Sequence, residues 1–229
     1  MNSCRLLSSL IIAISLLTTC SAHSIPVTSP SSLNPGDPYR LAFVTFSDRN
    51  AASSNIAVYN SFVQSQADAT THLVSLGATW KAIASTPSID ARDNTDTNPN
   101  VEAGVPIFLL NDTKLVDDNA DLWDGSLDLF LNITENANEK PGSPITVWTG
   151  TLPDGTSLGN GALGGSDALV GTGSFQFDNS GWINAASGDK ELLLPMYAIS
   201  SVLTAVPEPT TSGLVLTAVF IFGVFRRRN

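Results

Sequence analysis

The chain has 229 residues, 42% of them hydrophobic and 14% charged, with a net charge of −10 and two cysteines. Cys4 and Cys20 both fall within the first 22 residues, which excludes a disulfide framework or a cysteine metal site in everything that follows. From His23 to Ala205, seven Lys or Arg stand against twenty Asp or Glu, a net of −13, so nucleic acid and anionic polysaccharide, which are bound by clustered cations, are poor partners. Cations, neutral glycans and proteins remain, and acidity kept simply for solubility accounts for the same excess.

Residues 1–22 have the form of a secretory signal peptide. Arg5 precedes an apolar run from Leu6 to Leu17, and small residues lead to a cut after Ala22. Such a leader implies the Sec translocon and signal peptidase as partners. Cys20 offers lipoprotein processing as an alternative, although Thr18-Thr19 is a poor match to the residues that processing prefers. Residues 23–38 are a Ser/Pro/Gly linker without periodicity, expected to be unstructured.

The folded unit is expected over 39–205, a length that suits one domain with one core. Leu41–Phe46 is apolar on both faces and belongs in the middle of a sheet. Ile56, Tyr59, Val63, Ala67, Thr70 and Val74 recur at helical spacing and Gly77 follows, giving one or two helices between Ser54 and Leu76. Strands are expected at Thr79–Ala84, Val105–Leu110, Ile145–Thr149 and Leu192–Val202. Ser85–Gly104 is a long polar loop carrying Asp90, Arg92, Asp93 and Asp96, and long loops in compact domains are often functional. Gly155–Gly173 is expected to be mostly loop. Short strands, one early helical stretch and long later loops give an α+β domain.

Several motifs carry candidate chemistry. Gly155-Thr156-Ser157-Leu158-Gly159 matches the nucleophile elbow of serine hydrolases, but no helix follows it and both histidines, His23 and His72, precede it, so a glycine-rich turn is the better reading. Asp117, Asn119, Asp121 and Asp128 sit at positions 1, 3, 5 and 12 of a calcium loop, yet position 6 is Leu122 where the turn needs glycine. A looser oxygen-rich calcium site has Asp112, Asp117, Asp118, Asn119, Asp121 and Asp124 as candidate ligands. A solvated turn capped by Asp117 or Asp118 at a short helix start explains the same residues. Trp80, Trp123 and Trp148 read as core, which leaves Trp182, in Ser180-Gly181-Trp182, as the exposed ring for ligand stacking.

Residues 206–229 differ from all of this. Val206-Pro207-Glu208-Pro209 is a stiff joint that a helix cannot cross smoothly. Residues 210–225 form an apolar span of about 24 Å as a helix, somewhat short of a hydrocarbon core of roughly 30 Å. Arg226, Arg227 and Arg228 then act as a positive-inside stop, leaving the C-terminus in the cytoplasm.

This order of Pro-Glu-Pro, short apolar span and basic end resembles the PEP-CTERM sorting signal of bacterial exosortase substrates. The resemblance implies a protein exported, held transiently at the inner membrane, cut by exosortase near Pro207, Glu208 and Pro209, and passed to the envelope or extracellular matrix. An ordinary single-span anchor is the alternative.

A second resemblance covers the domain. Ala67-Asp68, Gly77, Trp80-Lys81-Ala82, Val105-Pro106-Ile107, Leu122-Trp123-Asp124-Gly125, Val147-Trp148-Thr149-Gly150 with Asp154-Gly155, and the strand around Tyr197–Ser200 together resemble the endostatin-type branch of the C-type lectin-like fold. Disulfides, heparin-binding arginines, zinc-binding histidines and the calcium motifs of sugar-binding lectins all lack counterparts here, so what the resemblance implies is the fold and not a ligand. The expected function is a non-catalytic binding or structural module, with extracellular polysaccharide or another surface protein as partner. The competing expectation is an extracellular polysaccharide hydrolase, which two close acids in a cleft beside an exposed tryptophan would favour.

Overall fold

The structure, a computed structural model, describes residues 29–206 apart from Pro144. The expected leader, the sorting residues Pro207, Glu208, Pro209 and Arg226–Arg228, and the span 210–225 lie outside the described residues. Among the described residues no helix is long and apolar enough to cross a membrane.

The domain is α+β. Strand β1, Pro38–Val44, is buried at every position after Pro38, as befits its place inside a sheet ordered β2-β8-β1-β3-β4. The partners are β2 (Trp80–Ala82), β3 (Ile107–Leu109), β4 (Lys114–Val116) and β8 (Tyr197–Ser200). Only the β1–β3 pairing in this set is parallel. Strand β9, Leu203–Thr204, returns to pair with the start of β1. A second sheet, β5-β6-β7, is formed by Thr146–Trp148, Leu169–Ser174 and Ala186–Asp189.

Helix α1, Ile56–Asp68, starts at Asn55, whose side chain accepts from the Ala57 N–H, and buries Ile56, Tyr59, Val63 and Ala67 against the large sheet. The chain breaks at Ala69–Thr70 before the one-turn helix α2, Thr71–Val74. That break shifts the phase, so Leu73 is buried while Val74, the next member of the expected stripe, is 51% exposed. Gly77 ends the segment with φ +61°, a left-handed conformation that favours glycine.

The described part of the expected linker is held to the domain. Leu33 packs against the core and the Gly36 N–H donates to Ala205 O. Gly155–Gly173 is mostly loop as expected, but β6 begins within it at Leu169. Gly173 lets the 3-10 turn Ser180–Trp182 lie directly on β6: a Cβ there would sit 1.9 Å from Trp182 O.

This contact overturns the expectation for Trp182. Its ring is fully buried, 6.0 Å from Trp123 and 5.7 Å from Tyr197, and is not a stacking surface for a ligand. Trp80, Trp123 and Trp148 are core, as their strand and turn contexts indicated.

Candidate functional site

The loop flagged by its polarity folds into one wall of an open cleft of about 550 Å³, lined by Lys81, Pro87, Ser88, Ile89, Asp90, Asp93 and Asn94. Lys81 comes from β2; Asp93 and Asn94 come from a short helix α3, Ala91–Asn94; the rest is the turn leading into it. Polar sequence at the wall and apolar sequence behind it bring three elements together.

Hydrogen bonds brace the turn from both sides. Ser85 Oγ accepts from the Ala91 N–H at 2.8 Å and bonds the Thr151 hydroxyl at 2.9 Å, both fully inside the protein. Thr86 and Ile89 exchange backbone bonds across the turn, and the Ser157 hydroxyl donates to Thr86 O at 2.8 Å. The Ser157 N–H donates to Asp90 Oδ1 at 2.8 Å. Ser157, the centre of the elbow-like motif, therefore serves as a clip behind the cleft; its Oγ also accepts from the Gly159 N–H at 3.1 Å.

The sheet edge forms the floor. β2 is an outer strand, and unpaired edge groups need partners. Gln64 Oε1 accepts from the Trp80 N–H, and Asn60 Oδ1 from the Ala82 N–H. Asn94 donates to Ala82 O at 2.7 Å and exchanges two amide bonds with Asn60, at 2.8 and 3.0 Å. Arg40, buried beneath, donates to Thr95 O, Asp96 O and Ser200 O, so the C-terminal end of α3 is tied to the large sheet.

The charges are nearly balanced. Lys81 Nζ is 2.7 Å from Asp96 Oδ2, and Arg92 lies 3.9 Å from Asp90 Oδ2. Asp93 Oδ1 accepts from the Asn98 amide at 2.6 Å. Carboxylate acceptors held on a braced wall, with Pro87 and Ile89 as an apolar rim, suit a small ligand rich in hydroxyl or amine donors.

The expected calcium ligands do not converge. Asp112 accepts from the Ser31 N–H and hydroxyl, and Asp117 pairs with Lys114. Asp118 caps a second short helix α4, Asn119–Leu122, by accepting from the Ala120 and Asp121 N–H groups, so the capped-turn reading describes it. Asp121 accepts from the Asp117 N–H, and Asp124 from the Ser126 N–H and hydroxyl. Asn119 is fully buried and donates to Glu102 O at 3.1 Å. The carboxylates of Asp118, Asp121 and Asp124 serve local turns, and that of Asp112 ties down Ser31. Among the described residues no three His, Cys, Asp or Glu side chains are grouped to hold a metal.

A second charged cluster lies at the far end of β1 and was not singled out by any sequence motif. Glu135, only 5% exposed, accepts from the Phe46 N–H at 2.9 Å, and Lys140 donates to Phe46 O at 2.8 Å. Burial pushes the Glu135 carboxyl above its usual range and the Lys140 amine below its own. Comparison of the chain with protein-family models and with curated proteins finds no match.

Proposed function

We propose that the chain is an exported bacterial protein, sorted to the envelope or extracellular matrix by its C-terminal Pro207-Glu208-Pro209 signal and carrying a non-catalytic, C-type-lectin-like binding or structural domain. The observation that carries this reading is where the domain closes. The Ala205 N–H donates to Asp37 O, Ala205 O accepts from the Gly36 N–H, and Val206 is already 64% exposed. A cut at the adjacent joint thus removes no strand and no core residue from the described fold. The partners this implies are the Sec translocon, signal peptidase and an exosortase.

The fold assignment draws support from three features: a first strand flanked by the late strand β8, two helices directly after it, and a separate three-stranded sheet from the middle of the chain. The braced cleft at Asp90, Asp93 and Lys81 supports a binding role, with extracellular polysaccharide or another surface protein as the ligand. The hydrolase alternative would be favoured by an exposed tryptophan beside paired acids; all four tryptophans are buried.

Fractionation of producing cells tests the sorting claim. Wild-type protein is expected in the envelope or extracellular fraction. A Pro207→Ala, Glu208→Ala, Pro209→Ala variant is expected to accumulate at the inner membrane. Equal distribution of the two would refute the signal.

A further inference from the structure

The chain leaves the domain beside the point where it enters, and a short arm, residues 29–37, helps to hold the two ends together. Every residue from Leu203 to Val206 is paired with this arm or with the start of β1. Leu203 and Thr204 pair with Tyr39 and Pro38, the Ala205 N–H donates to Asp37 O, and Ala205 O accepts from the Gly36 N–H. The Ser29 hydroxyl donates to Val206 O at 3.3 Å, across 177 positions of sequence. That carbonyl belongs to the peptide bond entering Pro207.

The arm itself is lightly held. Ser31, Ser32, Asn34, Pro35 and Gly36 are exposed, while Leu33 is half-buried and packs against the core. Its clasp is Asp112, at the tip of the β3–β4 hairpin, whose carboxylate accepts from the Ser31 N–H at 2.8 Å and from the Ser31 hydroxyl. Asp112 has φ +72°, a left-handed conformation that few residues other than glycine adopt. The hairpin tip takes up that conformation and turns both carboxylate oxygens to one serine of the arm. A segment held by exposed hydrogen bonds and few apolar contacts opens well below the free energy of global unfolding.

A cutting enzyme takes its substrate as extended, unpaired backbone, so a paired segment is cut only in the fraction of time it is open. We infer that residues 29–37 are a strap that governs access to the joint, with Asp112 as its latch. Closed, the strap withholds 203–206 from a protease; release of Ser31 from Asp112 hands them over. The strap thereby sets the rate at which the tail is lost. Its role in maturation rests on the sorting reading above, whereas its opening does not.

Limited proteolysis of the full-length protein in detergent, followed by intact mass, reads that opening directly. Thermolysin cuts on the amino side of valine, so opening is scored as the fragment ending at Ala205. Asp112→Gly removes the latch while suiting the φ of +72°, and Ser31→Ala removes one of its two bonds. Asp112→Gly should release the fragment about tenfold faster than wild type, the factor that one hydrogen bond to a charged group is worth. Ser31→Ala should show a smaller acceleration. Asn94→Ala, which weakens the domain at the cleft, should cut at this bond at the wild-type rate, because opening here is local. Equal rates in wild type and Asp112→Gly would overturn the strap. Equal acceleration in Asn94→Ala would overturn it too, since global unfolding would then be the route. In producing cells Asp112→Gly should lose its tail sooner than wild type, and equal timing would overturn the role in maturation. Wild type that keeps its tail in cells, while Asp112→Gly still speeds thermolysin, would overturn the sorting reading and uphold the strap.

Discussion

The two halves of the domain are held together in different ways. The half built on β1, β8, β3 and α1 rests on apolar side chains whose spacing along the chain matches the strand or helix they occupy. The rest, from the end of β2 to β7 apart from β3, has short strands and long connections, and is joined by buried hydroxyl and amide groups that bond backbone atoms of neighbouring turns and strands. Ser85, Asn94 and Thr149 each make such bonds, Thr149 reaching Ile183 O at 2.6 Å. In the first half stability is spread over many contacts. In the second, single side chains carry whole connections, and the cleft is built there.

Substitutions in the second half should therefore cost more than their size suggests. The largest effect is expected for Trp182→Ala, which empties the space between Trp123 and Tyr197; about 3–5 kcal/mol should be lost, read from the denaturant midpoint. Asn94→Ala removes the partner of Ala82 O and leaves the Asn60 amide unpaired, for a loss of about 1–3 kcal/mol. The same variant should loosen the cleft, visible as faster hydrogen exchange over 80–95. Asp118→Ala strips the cap of α4, at about 1 kcal/mol.

The smallest effect is a slope with pH. The folded protein holds the Glu135 proton more tightly than the unfolded chain does, so its contribution is complete below the ordinary glutamate range. It is lost as pH rises through the raised folded value. Melting temperatures measured across that window should fall with pH in the wild type, and the fall should be shallower in Glu135→Gln.

Legibility in the sequence divides along the same line. β1 was readable because a strand apolar on both faces has nowhere to go but the centre of a sheet, and α1 because its buried positions keep helical spacing as far as Ala67. A cap at Asp117 or Asp118 was readable from side chain and position before a helical turn, and the cap is Asp118. β6 and β7 were not: in Leu-Val-Gly-Thr-Gly-Ser the branched Val170 and Thr172 are interrupted by two glycines, Ala-Ser-Gly-Asp has no branched or aromatic residue, and their pairing is set by neighbours. Trp182 was misread for a related reason. Its glycine and serine neighbours look like an exposed turn, and the signal that buries it is Gly173, nine positions earlier, where the backbone must come close. The polarity of Ser85–Gly104 pointed to the cleft, but Lys81 and the bracing by Asn60 and Ser157 depend on tertiary contacts. The Glu135 and Lys140 cluster had no motif, since its logic is burial around Phe46.

The central claim is that a self-contained domain is delivered by a terminal signal that is then discarded, and intact-mass analysis of the protein recovered from producing cells tests it directly. The account expects a species beginning near His23 and ending near Pro207–Pro209. A full-length chain of 229 residues retained in the cytosol would contradict it.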